Sequence, residues 1–170
     1  MISHVPELES PSAATTRSLV LTATETRTDA PLNIVGERTL VKVGAADSDG
    51  LLSFFHLEAP PMSGPPRHVH SREDELFYVL DGELVFELDG TPHTVTAGGT
   101  VFLKRGVVHA YQNFTDQTAR LLIATTPGEF STFFEEMSAM TPDAGMPEME
   151  PLLALHERYG IAIVGPPLVG

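Results

Sequence analysis

His68-Val69-His70-Ser71-Arg72-Glu73-Asp74-Glu75-Leu76-Phe77-Tyr78-Val79-Leu80-Asp81-Gly82 decides how the chain is read. Side chains alternate between the two faces of a strand, so His68 and His70 point the same way. Imidazole is the commonest metal-binding side chain, and a carboxylate completes a mixed nitrogen and oxygen donor set. Glu75 shares parity with Phe77 and Val79, which places it on the apolar, inward face of the following strand.

A second stretch answers the first: Gly98-Gly99-Thr100-Val101-Phe102-Leu103-Lys104-Arg105-Gly106-Val107-Val108-His109-Ala110-Tyr111-Gln112-Asn113. Gly106 can take the positive φ of a tight turn. That turn starts a short strand with His109, Tyr111 and Asn113 on one face. A third histidine reaching the first pair gives three imidazoles and one glutamate.

These two stretches resemble the two signature motifs of the cupin superfamily, Gly-x5-His-x-His-x3–4-Glu-x6-Gly and Gly-x5-Pro-x-Gly-x2-His-x3-Asn. The matching residues are His68, His70, Glu75 and Gly82, then Gly98, Gly106, His109 and Asn113. Met62 stands where the first motif begins with Gly, with Gly64 close by, and Lys104 stands in place of the second motif's Pro. Neither departure touches a ligand position. The resemblance implies an all-β cupin jelly-roll barrel, or double-stranded β-helix. It also implies one divalent transition metal held by His68, His70, Glu75 and His109.

Composition narrows the function. The chain has 170 residues and a net charge of −13, with only 10 Lys and Arg in total. That balance argues against a nucleic-acid partner, which needs clustered positive charge. There are no cysteines, so disulfides and thiolate metal sites are excluded. Residues 1–9 lack the apolar stretch of a secretory signal, and no apolar run approaches a membrane span. A cytoplasmic protein with no membrane partner is the expectation.

Three segments follow in order: an N-terminal arm over 1–31, a barrel over 32–126 and a helical extension over 127–170. The arm, rich in Ser, Thr and Pro, contains His4 and has a candidate added strand at Leu19–Leu21. Leu51–Glu58 is apolar at both parities and reads as a strand buried on both sides. His56 on that strand could line a cavity or sit on the outer sheet; a structural role is favoured. Asp81-Gly82 and Asp89-Gly90 are hairpin dipeptides. After Pro127 the period changes: Phe130, Phe133, Phe134 and Met137 fall at helical spacing and predict a helix packed on the barrel. A second helix over residues 147–159 ends at Gly160, with His156 and Arg158 in its last turn. His93 and His156 are expected to take no part in the site. The tail from Ile161 should pack on the barrel or on a second subunit.

Phe54, Phe77, Val79 and Tyr111 are the expected walls of a small-molecule pocket. The metal could be Fe, Ni, Mn, Co, Cu or Zn, since the donor set alone does not choose. The single barrel followed by Pro127-Gly128-Glu129-Phe130-Ser131-Thr132-Phe133-Phe134 resembles quercetin 2,3-dioxygenase-like proteins. That resemblance implies a dioxygenase acting on a small, flat enol, flavonoid or diketone substrate, with Glu75 as both ligand and catalytic base. A non-oxidative cyclase, isomerase or lyase, and a binding or sensor protein without catalysis, stand as the alternatives. The two-faced apolar strands and the tail point to a homodimer.

Overall fold

The computed structural model describes residues 18–143 and 145–170. His4 and most of the arm lie outside them. Leu19–Leu21 forms no strand. Residues 22–30 instead run as turns held against the barrel edge. Arg27 N donates to Val41 O at 2.8 Å, and Lys42 Nζ reaches the carbonyls of Thr22, Ala23 and Glu25 at 2.6–3.1 Å.

The strands are β1 (Leu32–Ile34), β2 (Glu37–Val43), β3 (Ser53–Ala59), β4 (His68–His70), β5 (Asp74–Asp81), β6 (Glu83–Leu88), β7 (Thr91–Thr96), β8 (Thr100–Leu103), β9 (His109–Gln112), β10 (Ala119–Thr126) and β11 (Ile161–Ile163). The helices α1 (Phe130–Met140) and α2 (Met149–Arg158) separate β10 from β11. Two antiparallel sheets form, in the orders β1-β2-β3-β10-β5-β8 and β11-β4-β9-β6-β7. Their inner faces meet in one core, where Phe77 of the first sheet lies 5.2 Å from Phe86 of the second, ring to ring. This is the jelly-roll arrangement. Among the described residues no helix is long and apolar enough to cross a membrane.

Asp81-Gly82 is not a hairpin. β5 pairs with β10 and β8, while β6 pairs with β7 and β9, so this turn carries the chain from one sheet to the other. Gly82 takes φ +81°, and a Cβ there would lie 3.0 Å from Ala119. The close crossing needs glycine for both reasons. Asp89-Gly90 does close a hairpin between β6 and β7, with positive φ at both residues, the type I′ geometry that matches strand twist.

β3 also departs from its expected burial. Ser53, Phe55, Leu57 and Ala59 are buried, whereas Phe54, His56 and Glu58 are only partly covered. The second face of β3 belongs to the outside of the six-stranded sheet, beside Leu122 and Ala124 of β10. Helix α1 lays Phe130, Phe133, Phe134 and Met137 inward, and Phe134 meets Phe55 at 5.0 Å. The tail does more than pack on the barrel. β11 pairs antiparallel with β4, placing Ile161 opposite His70 and Ile163 opposite His68.

Candidate metal centre

Three strands bring the candidate ligands together. His68 and His70 sit on β4, and His109 opens β9, directly across from His68. Glu75 comes from β5 in the facing sheet. Gly106, at φ +87°, donates its N–H to His70 O at 2.8 Å. This bond ties the turn before His109 to the strand carrying the first pair. Where the resemblance leads one to expect Pro, Lys104 bonds Asp74 at 3.2 Å and Arg105 bonds the same carboxylate at 3.0 Å. The two cations pin the turn and hold the Asp74 carboxyl well below its usual range, Arg105 contributing most. At the other departure, Met62 takes φ +61°. The backbone keeps a conformation that suits glycine although the residue is not one.

The three imidazoles are oriented alike. His68 Nδ1 donates to Pro66 O at 2.8 Å and His109 Nδ1 to Val107 O at 3.0 Å. A carbonyl only accepts, so the proton sits on Nδ1 and each Nε2 carries a lone pair. His70 Nδ1 lies 3.3 Å from Glu73 Oε2, and both side chains are almost wholly buried. The Nε2 lone pairs converge on another acceptor: Glu75 Oε2 is 3.0 Å from His109 Nε2 and 3.6 Å from His70 Nε2. All three of these atoms are buried without a hydrogen-bond partner. One donor atom from each of His68, His70, Glu75 and His109 lies within 4.8 Å of the others.

Acceptors facing acceptors in a buried site are unfavourable unless a cation or a proton lies among them. Three imidazole nitrogens and one carboxylate oxygen suit a divalent first-row ion. The contacts at Nδ1 are the kind that fix a metal-binding imidazole in place. A proton shared into this cluster would play the part of the cation: burial pushes the Glu75 carboxyl up, but charged imidazoles at His70, His109 and His68 outweigh it and hold it at about 2. Burial, then the neighbouring imidazoles, lowers His68 to about 3.

The four residues open into a cavity of about 490 Å³. Phe77 and Tyr111 line it. Val79 does not; it is fully buried in the core one step further along β5. Phe54 does not line it either, because the inward parity of β3 belongs to Phe55. Parity read along one strand does not carry over to another with a different start. Much of the remaining wall comes from the C-terminal extension, through Phe130, Phe133, Phe134, Met137, Leu152 and Ile161. His156 joins this wall, with its ring 5.1 Å from Phe133, so it is not remote from the site. His56 faces outward, and His93 is exposed on β7.

Two acids escape a reading by sequence. Glu73 has the look of a solvated acidic turn, yet it is buried against His70. Glu37 lines the cavity and accepts from Tyr111 Oη and Ser63 Oγ. The available signal is its parity with Thr39 and Val41, an acid on the apolar face of a strand.

The family model described as a cupin domain matches residues 55–125, which contain all four converging residues. Over these residues the barrel is similar to the cupin domain. A curated relative, an oxalate-binding protein of Thermotoga maritima, is 35% identical over 60 residues, covering 35% of this chain and 50% of the relative. The chain thus spans half the length of the curated relative it matches. Among solved structures, a predicted oxalate decarboxylase of Thermotoga maritima superposes with a TM-score of 0.56 at 24% identity, over 64% of this chain and 99% of that one. A Klebsiella pneumoniae protein with a double-stranded β-helix domain gives 0.51 at 17% identity, over 66% and 92%. These two likenesses establish the cupin barrel fold.

Proposed function

We propose that the cupin is a metal-dependent enzyme, a dioxygenase of the quercetin 2,3-dioxygenase-like type acting on a small, flat enol, flavonoid or diketone. The observation that carries this reading is the pairing of a cluster of three histidines and one glutamate with a wide aromatic cavity. No Lys or Arg lines that cavity among the described residues. An apolar wall with few polar groups suits a planar organic molecule of modest charge.

His68, His70, Glu75 and His109 would hold the metal. Bound there, it would supply Lewis acidity to an enol oxygen and a redox partner for dioxygen. The protein's share is to exclude water, to orient the substrate between Phe77 and the Phe130–Phe134 wall, and to accept a proton. Glu75 faces the cavity beside the position the ion would take, where its carboxylate would be within reach of the enol proton.

The oxalate-binding relative favours a second reading, a binder of small dicarboxylates. Among the described residues the wall offers no Lys or Arg to add to the ion in holding such a dianion, and its apolar surface suits a less charged ligand. The two readings separate in one comparison on metal-loaded protein. An oxygen electrode should record uptake with a flavonol such as 3-hydroxyflavone, while calorimetry should give no saturable heat with oxalate. In Glu75→Gln reloaded with metal, uptake should fall roughly a hundred-fold while the flavonol still binds. Saturable oxalate binding without oxygen uptake from any flavonol, catechol or diketone would replace the enzyme reading with the binding one.

A further inference from the structure

Glu37 is a buried acid that takes no part in holding a metal. It sits at the start of β2 with 6% of its surface exposed, on the inward parity shared with Thr39 and Val41. Its Oε2 accepts from Tyr111 Oη at 2.7 Å, and its Oε1 accepts from Ser63 Oγ at 2.9 Å. No Lys, Arg or His forms an ion pair with it among the described residues. Burial outweighs the two hydroxyl contacts and raises its carboxyl to about 7.

An uncompensated acid in an apolar cavity is costly to keep. Tying the loop to the barrel does not require it. Ser63 is already fixed by backbone bonds, since Asn113 N donates to Ser63 O at 2.9 Å and Met62 N to Asn113 O at 2.8 Å. Gly64 lies so close to Tyr111 that a Cβ there would fall 2.0 Å from its carbonyl oxygen, so the loop is seated by shape as well. Each carboxylate oxygen has two lone pairs, and each has one of the two hydroxyls. The remaining acceptor capacity belongs to an atom lining the cavity. Tyr111, which orients Glu37, follows His109 by two residues on the same face of β9. That offset is roughly 7 Å along the strand.

We propose that Glu37, oriented by Tyr111 and Ser63, is a second polar anchor in the cavity, and that the substrate carries a hydroxyl donor on the end away from the histidine–glutamate cluster. This rests on the metal-dependent reading and sharpens its substrate class. The ligand is a flat aromatic body with a chelating oxygen pair at one end and a phenolic hydroxyl at the other.

The test uses 3-hydroxyflavone and its 7-hydroxy and 4′-hydroxy derivatives, titrated without oxygen at pH 8, where the Glu37 carboxyl is ionised, into manganese-loaded protein. Wild type should bind at least one hydroxylated derivative roughly tenfold tighter than the parent, the scale of one hydrogen bond to a charged acceptor. Glu37→Leu should erase that preference and keep its manganese content. Glu37→Gln, which preserves shape, should retain only part of it, and serves in place of Glu37→Leu if that variant does not fold. Parent and derivatives binding wild type equally would overturn the anchor and leave the metal-dependent reading standing. So would a preference that survives unchanged in the Glu37 variants. Failure of all three flavonols to bind wild type that retains manganese would overturn the anchor and the flavonoid reading together.

Discussion

Glu75 and Glu37 line the same cavity and face opposite electrostatics. Around Glu75, charged imidazoles more than offset burial; around Glu37 there are only hydroxyls, and burial wins. The sign for Glu37 follows from linkage. Its folded carboxyl, raised to about 7 from 4.5, binds a proton more tightly than the unfolded one. Between those values the unfolded chain releases its proton first, so this group lowers stability as pH rises. Glu37→Gln lacks that loss. Urea unfolding of metal-free protein should show the variant gaining on wild type by on the order of 3 kcal/mol between pH 4 and pH 8. A gap that does not change with pH would mean the carboxyl is not raised. At this scale the sequence was partly legible. His68 and His70 could be read as a pair from strand alternation, which acts locally; that Glu75 and His109 join them was implied by the resemblance to the two cupin motifs. Glu37 could not be read, because its partners Tyr111 and Ser63 are brought to it only by the closing of the barrel.

The switch from period two to helical period after Pro127 marked α1 in the sequence, and its apolar stripe is the one that faces the barrel. The use made of that stripe was not legible. Phe130 lies 5.2 Å from the His70 ring, so the helix walls the cavity as well as filling the core. β11 was hidden for a similar reason. Three apolar residues after a glycine carry no strand signal until β4 offers an unpaired edge. Asp81-Gly82 misled because a local dipeptide fixes a turn but not the sheet to which the next strand goes. Phe134 reports on the helix as an element. It packs on Phe55 at 5.0 Å and on Phe130 at 4.7 Å. Phe134→Ala should cost about 3 kcal/mol, the low end for a buried phenylalanine because one side faces the cavity. Chemical denaturation would check this, and a loss below about 1 kcal/mol would show that α1 is not docked as described.

Over the whole molecule, the six-stranded sheet leaves an apolar outer face. Leu76, Tyr78, Leu80 and Phe102 stand more than 40% exposed on adjacent strands β5 and β8, and Phe54 and Leu122 continue the patch. A contiguous patch of this kind suits a second copy. Light scattering at micromolar concentration should therefore give the dimer mass, and Phe102→Glu should shift it to monomer. A monomer mass for the wild type would contradict this. The metal, too, acts on the whole molecule, because an ion bound only by the folded barrel adds to its stability. The deciding measurement is a calorimetric titration of chelator-stripped protein with cobalt(II), paired with thermal unfolding. One ion should bind per chain. The unfolding midpoint should rise by roughly 5–10 °C at a hundred-fold excess over the dissociation constant, with both effects lost in His109→Ala. No saturable binding to a folded wild-type barrel, or an equal shift in His109→Ala, would contradict the metal centre.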